Sequence, residues 1–247
     1  MIHYKTPAQL KIMQKAGEKL KKILPEIIDS IRIGVSTAEI NSLAEEKIKK
    51  AGGYPAFKRV KGYRWATCIA VNEQLVHTPP SDRVLQSSDV VTLDIGLEYK
   101  GFCVDYAHTI ALPPVSDKIS KFLQKGRQTL EQGIKIIQET KNLYQYAEFV
   151  HKSIESAGYS IVRELTGHGI GKRLHEDPFV FNFPDKSLRY INVKSGLCIA
   201  VEIIYAMGKG RMVYEDDGWS VKTADNTISA CFEHTVAIVG DRLKVLV

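Results

Sequence analysis

The chain has 247 residues, of which 44% are hydrophobic and 25% are charged, as is normal for a globular protein. Its formal net charge of +6 is modest, and no apolar run is long enough for a membrane span. The first residues lack an apolar signal segment, so we expect a cytoplasmic protein. The four cysteines form no paired CxxC motif, which predicts reduced thiols.

Two helices are predicted at the start of the chain. Thr6 followed by Pro7 is typical of a helix N-terminus, and apolar residues then recur at helical spacing. Ser36 and Glu39 have the spacing of a capping box, so a second helix is expected to begin there. The glycines at 52–53 are expected to end that helix.

The second half of the chain repeats this order. Two further helices are predicted around residues 119–137 and 147–157, and strand-like segments follow each pair of helices. The segments are 67–76 and 90–112 in the first half, and 161–165, 196–208 and 228–240 in the second. This duplication predicts one α+β domain over residues 1–247, with pseudo-twofold symmetry and an antiparallel sheet covered by two pairs of helices. Two independent domains remain an alternative.

Two aspartates flank a turn-like segment of the first half. A hairpin centred between Tyr99 and Lys100 would place Asp94 directly opposite Asp105 on one face of the sheet. Directly opposed residues have Cβ atoms about 4.5–5.5 Å apart, and like charges at that distance repel unless a cation or proton lies between them. The pair therefore indicates a metal site.

The second half contains two glutamates in apolar strand-like runs, Glu202 and Glu233. Burial of an unpaired carboxylate is very costly, so these side chains need a cation as a partner. A buried salt bridge would explain any one of the four acids, but the whole set is difficult to explain by structure alone.

His168 lies between glycines in the segment TGHGIG, where we expect a tight turn that leaves the imidazole unobstructed. Four carboxylates with one imidazole are typical of a site for two divalent ions such as Co, Mn, Fe or Zn. The glycine spacing does not match a phosphate-binding loop. His77 and His175, at the ends of neighbouring segments, are candidates for binding substrate and stabilising an oxyanion, with ordinary loop histidines as the alternative.

The ordered motifs NEQLVH, LDIG, CVDYAHT, TGHGIGK, LHEDP, VEII and FEHT resemble the methionine aminopeptidases of type I in their short bacterial form. The resemblance implies the pita-bread fold and a hydrolase that removes N-terminal methionine from new polypeptides through metal-activated water. It also implies two metal ions and assigns the ligand and catalytic positions. The implied metal ligands are Asp94, Asp105, His168, Glu202 and Glu233, and the implied catalytic residues are His77, His175 and Glu202.

The resemblance further implies a pocket for the first side chain of the substrate. Its residues are Phe57, Val60, Tyr63, Cys68, Leu174 and Trp219, together with His77 and His175. Phe57, Val60 and Leu174 depart from the residues common in the family, as do Ala200 and Ile203 around Glu202. An aminopeptidase of the same fold with another preference, such as Xaa-Pro, and an inactive binding homologue are therefore the alternatives.

The expected partners are polypeptide N-termini, with no membrane partner and a monomeric state. A basic cluster between Lys58 and Arg64 is typical of a solvated surface or of a contact with an acidic partner. Transient contact with ribosomal RNA is one hypothesis for this segment.

Overall fold

The computed structural model describes residues 1–247. Its four helices are α1 (Pro7–Asp29), α2 (Thr37–Lys50), α3 (Asp117–Thr140) and α4 (Leu143–Glu155). The strands of the first half are β1 (Tyr54–Pro55), β2 (Thr67–Val71), β3 (Gln74–Val76), β4 (Val90–Tyr99) and β5 (Phe102–Ala111). Those of the second half are β6 (Ser160–Ile161), β7 (Gly167–Gly169), β8 (Glu176–Val180), β9 (Cys198–Ala206), β10 (Met212–Tyr214), β11 (Val221–Thr223), β12 (Ser229–Val239) and β13 (Arg242–Val245).

The first two helices begin where the sequence predicts. Thr6 caps α1, because its side chain accepts a hydrogen bond from the Gln9 backbone while the Gln9 side chain accepts one from Thr6. Ser36 and Glu39 form the same reciprocal capping box at α2. Each box satisfies backbone N–H groups that have no partner within the helix. Both predicted N-termini are confirmed.

The order of two helices followed by strands occurs twice, as predicted. The helices α1 and α2 pack on β2, β4 and β5 around one apolar core. Around the other core, α3 packs on β9 and β12, and α4 packs on α3 and β6. Hydrogen bonds divide the strands into a four-stranded sheet, a six-stranded sheet and a small sheet of β3, β10 and β11. All four cysteines are buried and free, and none of the helices is suited in length and apolarity to span a membrane.

The strand predicted over residues 67–76 is two strands. Asn72 adopts a left-handed conformation with φ 61°, and its side chain bonds to Asp89 and to the Val90 backbone. The turn held by these contacts separates β2 from β3, which joins a different sheet. His77 follows β3 directly and has φ 59°, so its backbone is also left-handed.

The hairpin of β4 and β5 has a different register from the predicted one. Lys100 and Gly101, with φ of 49° and 78°, form the two-residue turn, so Tyr99 pairs with Phe102. Positive φ at both central residues is the geometry of the tight turns that suit twisted hairpins. As a result Asp105 lies opposite Gly96 rather than Asp94, and the predicted direct pairing of the two aspartates is wrong. An offset of two residues still keeps both aspartates on the same face of the sheet.

Two threonines join the halves where β5 runs beside β12. The Thr235 hydroxyl accepts from the Asp105 backbone N–H and donates to the Asp105 carbonyl, both at 2.8 Å. Thr109 makes the equivalent pair of bonds with the Cys231 backbone, at 2.9 and 2.7 Å. Both threonines are fully buried. The two sheets are therefore connected by side chains that replace the hydrogen bonds of a backbone ladder.

Replacement of Thr235 by valine tests this connection. Valine keeps the volume but leaves the Asp105 N–H and carbonyl without partners, and each unsatisfied buried group costs about 1–3 kcal/mol. We expect the free energy of unfolding in urea to fall by about 2–4 kcal/mol. Thr140→Val is the matched control, because the Thr140 hydroxyl also donates to a carbonyl, that of Ile136, and accepts from a backbone N–H, that of Asn142, but is exposed, so water can replace both bonds. A control change beyond about 0.5 kcal/mol, or equal losses in both variants, would contradict the prediction.

Candidate metal centre

Five side chains of metal-binding type converge at the seam between the halves. They are Asp94 on β4, Asp105 on β5, His168 on β7, Glu202 on β9 and Glu233 on β12. Glu202 and Glu233 are directly opposite each other in the β9–β12 register, so their side chains share a face. The offset aspartates of β4 and β5 supply the other two carboxylates. Each half therefore contributes a pair of acids.

Glycines place His168 by allowing close contact rather than by turning the chain. Contrary to the expected tight turn, Gly167 and Gly169 lie in strand β7, which runs between β8 and β9. A Cβ atom on Gly167 would lie 2.5 Å from the Ala200 carbonyl oxygen, and one on Gly169 would lie 2.0 Å from that of Asp177. Only glycine fits at either position, so both glycines are needed to seat the histidine in the sheet.

The orientation of the His168 ring follows from one hydrogen bond. Its Nδ1 lies 2.9 Å from the Gly169 carbonyl oxygen, which can only accept, so Nδ1 carries the proton. Nε2 is left with a free lone pair that faces the carboxylates, 3.7 Å from Glu202 Oε1 and 4.0 Å from Asp105 Oδ2. A backbone bond on the other nitrogen is the usual way to orient a histidine ligand.

The contacts within the cluster fit a bound cation. Ligand atoms of Asp105, His168 and Glu233 all lie within 4.8 Å of one another, and all three residues are buried. Asp94 Oδ1 and Glu233 Oε1 are buried without any hydrogen-bond partner. Buried polar atoms are almost always paired, so two unpaired oxygens in one cluster need a ligand. Carboxylates with one imidazole are donors that bind divalent transition metals.

Burial and mutual repulsion raise the pKa values of the carboxyl groups in the metal-free protein. Desolvation raises the pKa of Asp105 to about 7. Desolvation and the Asp105 charge raise the pKa of Glu202 to about 8. For Asp94 and Glu233, desolvation followed by the neighbouring carboxylates raises the pKa well above its ordinary value. Four acids with raised pKa values in one cluster are a strong signal of a functional site.

Three neutral histidines complete the polar part of the site. Burial, with the nearby His175, lowers the pKa of His168 to about 3. Burial also lowers the pKa values of His77 and His175, and the nearby His77 lowers the pKa of His175 further. The rings of His168 and His175 pack edge to face with centroids 4.5 Å apart. A neutral imidazole carries one donor and one acceptor, so His77 and His175 can each offer an N–H to an oxygen of a ligand.

The cluster lies in a cavity of about 590 Å³. All thirteen residues singled out from the sequence line it, although their chemical roles stay predictions. One wall is apolar: the Tyr63 ring packs edge to face on Phe57 and Trp219, with centroids 6.2 and 5.1 Å apart. Burial raises the pKa of Cys68 well above its ordinary value, so its thiol is neutral and belongs to this apolar wall.

Several residues of the cavity were not predicted from the sequence. They are Val76, Glu164, Leu165, Thr166, Arg173, Glu176, Asp177, Phe179 and Ile204. Strand alternation could have identified Ile204, because it lies two residues after Glu202 on the same strand. Phe179 gives no such local signal, since its place depends on pairing with His168 across two strands.

A buried ion pair supports the segment that carries His175. Lys5 Nζ lies 2.8 Å from Glu176 Oε2, and each side chain is only 4% exposed. Although burial opposes it, the hydrogen bond from Lys5 and the Arg173 backbone N–H lower the pKa of Glu176. Glu176 is therefore a buried carboxylate with its full set of partners, in contrast to the four at the seam.

A pH-dependent difference in stability tests the burial of Glu202. In metal-free protein the folded state holds the Glu202 proton up to about pH 8, whereas the unfolded chain releases it near its ordinary pKa of 4.5. Between these values the folded state binds more protons, so this group lowers stability as pH rises. As pH rises from about 4.5 to 8, we expect the free energy of unfolding of Glu202→Gln to increase relative to that of the unaltered protein by on the order of 3 kcal/mol. The measurement is urea unfolding in the presence of a chelator.

The matched control for this measurement is Glu139→Gln, at an exposed position of α3. A difference between Glu202→Gln and the unaltered protein that stays constant over the pH range, or that matches the control, would show that the burial of Glu202 has no such effect.

Comparisons with known proteins agree on one family. Residues 11–239 match the model of metallopeptidase family M24. The chain is 36% identical over its whole length to methionine aminopeptidase 1 of Bacillus subtilis, and the match covers 99% of that protein. A crystal structure of methionine aminopeptidase from Thermotoga maritima superposes with a TM-score of 0.95 at 33% identity, covering 100% of this chain and 99% of that one.

The prolidase of Pyrococcus furiosus is more distant. It has a TM-score of 0.78 at 22% identity, and the match covers 98% of this chain and 64% of that one. At this identity the likeness shows a shared fold alone, and that fold is the pita-bread architecture expected from the motifs. With a family match over most of its residues, the seam of carboxylates and the full-length relatives, the chain belongs to metallopeptidase family M24.

Proposed function

We propose that this protein is a dinuclear metal-dependent aminopeptidase that removes the N-terminal methionine from newly made polypeptides. The observation that carries the proposal is the meeting of four carboxyl groups, two of them with unpaired buried oxygens, and one oriented imidazole beside an apolar wall. Full-length similarity to proteins named methionine aminopeptidase supports the same reading.

In this proposal the metal ligands are Asp94, Asp105, His168, Glu202 and Glu233. When bound, divalent ions supply a Lewis acid that polarises a peptide carbonyl and makes water acidic near neutral pH. Each carboxylate has two oxygens, so the five residues supply enough donor atoms for two ions. The unpaired oxygens of Asp94 and Glu233 are consistent with binding of a cation. The identity of the metal, among Co, Mn, Fe and Zn, stays open in the proposal.

Three residues handle protons and orient the peptide. The raised pKa of Glu202, about 8 in the metal-free site, suits a carboxyl group that accepts and returns a proton near neutral pH. His77 and His175 are neutral, so each can donate one hydrogen bond without placing a charge beside the substrate. We assign them to the peptide backbone and to the oxygen that gains negative charge during hydrolysis.

The apolar wall is proposed to hold the first side chain of the substrate. Its residues are Phe57, Val60, Tyr63, Cys68, Leu174 and Trp219, with His77 and His175 at its polar edge. An unbranched thioether side chain suits an aromatic wall because it adapts its shape and makes favourable sulfur–aromatic contacts. A misfit of one methylene in such a pocket costs about 1–3 kcal/mol, which sets the expected strength of selection.

The remaining expectations about partners belong to the same proposal. The basic cluster is partly neutralised, because Lys58 pairs with Glu45 and Arg59 pairs with Glu98. Lys61 and Arg64 remain as exposed cations of that segment. Ribosome contact is thus less strongly supported than it was by the sequence, and together with the cytoplasmic location and the monomeric state it stays a prediction.

Peptide hydrolysis tests the proposed activity. Purified protein with added Mn or Co is incubated with Met-Ala-Ser, Leu-Ala-Ser and Ala-Pro peptides, and the released amino acid is quantified. We expect methionine release, with kcat/KM for Met-Ala-Ser at least about tenfold above that for Leu-Ala-Ser because the branched side chain misfits the wall. Release from Ala-Pro alone would favour the Xaa-Pro alternative. No release from any peptide would favour an inactive binding protein.

Replacement of His168 by alanine tests the metal centre separately from turnover. The change removes the imidazole ligand without introducing a charge, so we expect metal affinity to fall at least about 100-fold in calorimetric titration and hydrolysis to be lost. His151→Ala, at a half-buried position of α4 outside the cavity, is the control and should bind metal normally. Unchanged metal affinity in His168→Ala would remove this residue from the proposed ligand set.

A further inference from the structure

The cavity continues outward into a row of three aromatic rings. Phe179 lines the cavity, and its ring centroid lies 6.1 Å from that of Phe181, which lies 5.3 Å from that of Phe183. The row belongs to the second half of the chain, whereas Phe57 and Tyr63 of the apolar wall belong to the first. The carboxylates lie at the seam between the halves.

The strand register directs the row toward the cavity side of the sheet. Phe179 is directly opposite His168 in the β7–β8 pairing, so both side chains project from the same face. The intervening residues lie on the other face: Val180 is part of the second core, and the Asn182 amide donates to the Glu202 carbonyl. The half-buried Phe181 ring packs against the margin of that core as well as beside Phe179. The ring contacts carry this alternation past the end of β8.

Phe179 is exposed where the row meets the cavity. Its side chain is 63% exposed, while Phe181 and Phe183 are half-buried. At the far end the Arg163 guanidinium lies 5.1 Å from the centroid of the Phe183 ring. A large apolar side chain beside a polar centre on an edge strand offers contact area that no other part of the chain covers.

From this geometry we propose that Phe179, Phe181 and Phe183 form a track that binds the polypeptide substrate beyond its second residue and favours apolar and aromatic side chains there. The inference rests on the proposed aminopeptidase activity and deepens it. With the first side chain held by the apolar wall, the rest of the substrate leaves the carboxylates toward the second half. Phe179 is directly opposite His168 on the same face and lines the cavity.

The dimensions of the row agree with this occupant. Each centroid spacing, 6.1 and 5.3 Å, is close to the span of roughly two residues of extended chain. Aromatic rings prefer offset or edge-on contacts with other rings, and each such contact adds selectivity for an aromatic partner. The track therefore selects among polypeptides by side chains that do not take part in hydrolysis.

The test compares the peptides Met-Ala-Phe-Phe-Phe and Met-Ala-Ser-Ser-Ser on the Mn-loaded protein. We expect kcat/KM to be about 5- to 20-fold higher for the aromatic peptide, and Phe179→Ser to remove most of that ratio. The control is Tyr190→Ser, which removes an aromatic side chain that is 86% exposed and outside the cavity. A thermal unfolding midpoint for each variant verifies that the chain is folded.

A ratio near one in the unaltered protein, or equal ratios in Phe179→Ser and the control, overturns the track. If neither peptide releases methionine, the proposed activity fails, and equilibrium binding of the same peptides with a C-terminal fluorophore decides the inference. Tighter binding of the aromatic peptide that Phe179→Ser weakens at least about fivefold supports the track, and equal binding by both proteins overturns it.

Discussion

The structure depends on the burial of four carboxylates in one place. Each half contributes two helices and most residues of one core, and the acids from both halves meet where β5 lies beside β12. In the metal-free protein this meeting raises the pKa values of all four acids, which is a free-energy cost of assembly. Binding of a cation at the seam would therefore recover part of this free-energy cost.

The rest of the fold offsets that cost and fixes the geometry of the acids. Thr109 and Thr235 satisfy the backbone groups of Cys231 and Asp105 between the two sheets, so acids without partners lie beside backbone groups that are paired. The Lys5–Glu176 pair shows a different arrangement, in which a lysine side chain neutralises a buried carboxylate that is not a proposed metal ligand. The absence of any lysine or arginine paired with the seam acids is thus a property of that site and leaves their charge for a metal.

The two halves contribute different surfaces to the cavity. The first half supplies most of the apolar wall around Tyr63, to which the second half adds Trp219, and the second half alone supplies His168, His175 and the exposed ring of Phe179. This division gives the cavity a direction, from a compact apolar end across the acids to an open aromatic edge. An extended polypeptide held by one end matches such a shape, and so the pseudo-symmetry of the fold does not extend to the chemistry of the site.

The sequence by itself determined the starts of the first two helices, the repeated order of elements and the four acids of the cavity, because capping, periodicity and the anomaly of acids in apolar strands are local properties. It did not determine the β4–β5 register, since a shift of one residue in the turn moved Asp105 from Asp94 to Gly96. It also could not assign Gly167 and Gly169 to close packing or bring Phe179 beside His168. Those features depend on pairing between segments far apart in the chain, and only the tertiary structure decides which backbone lies against which.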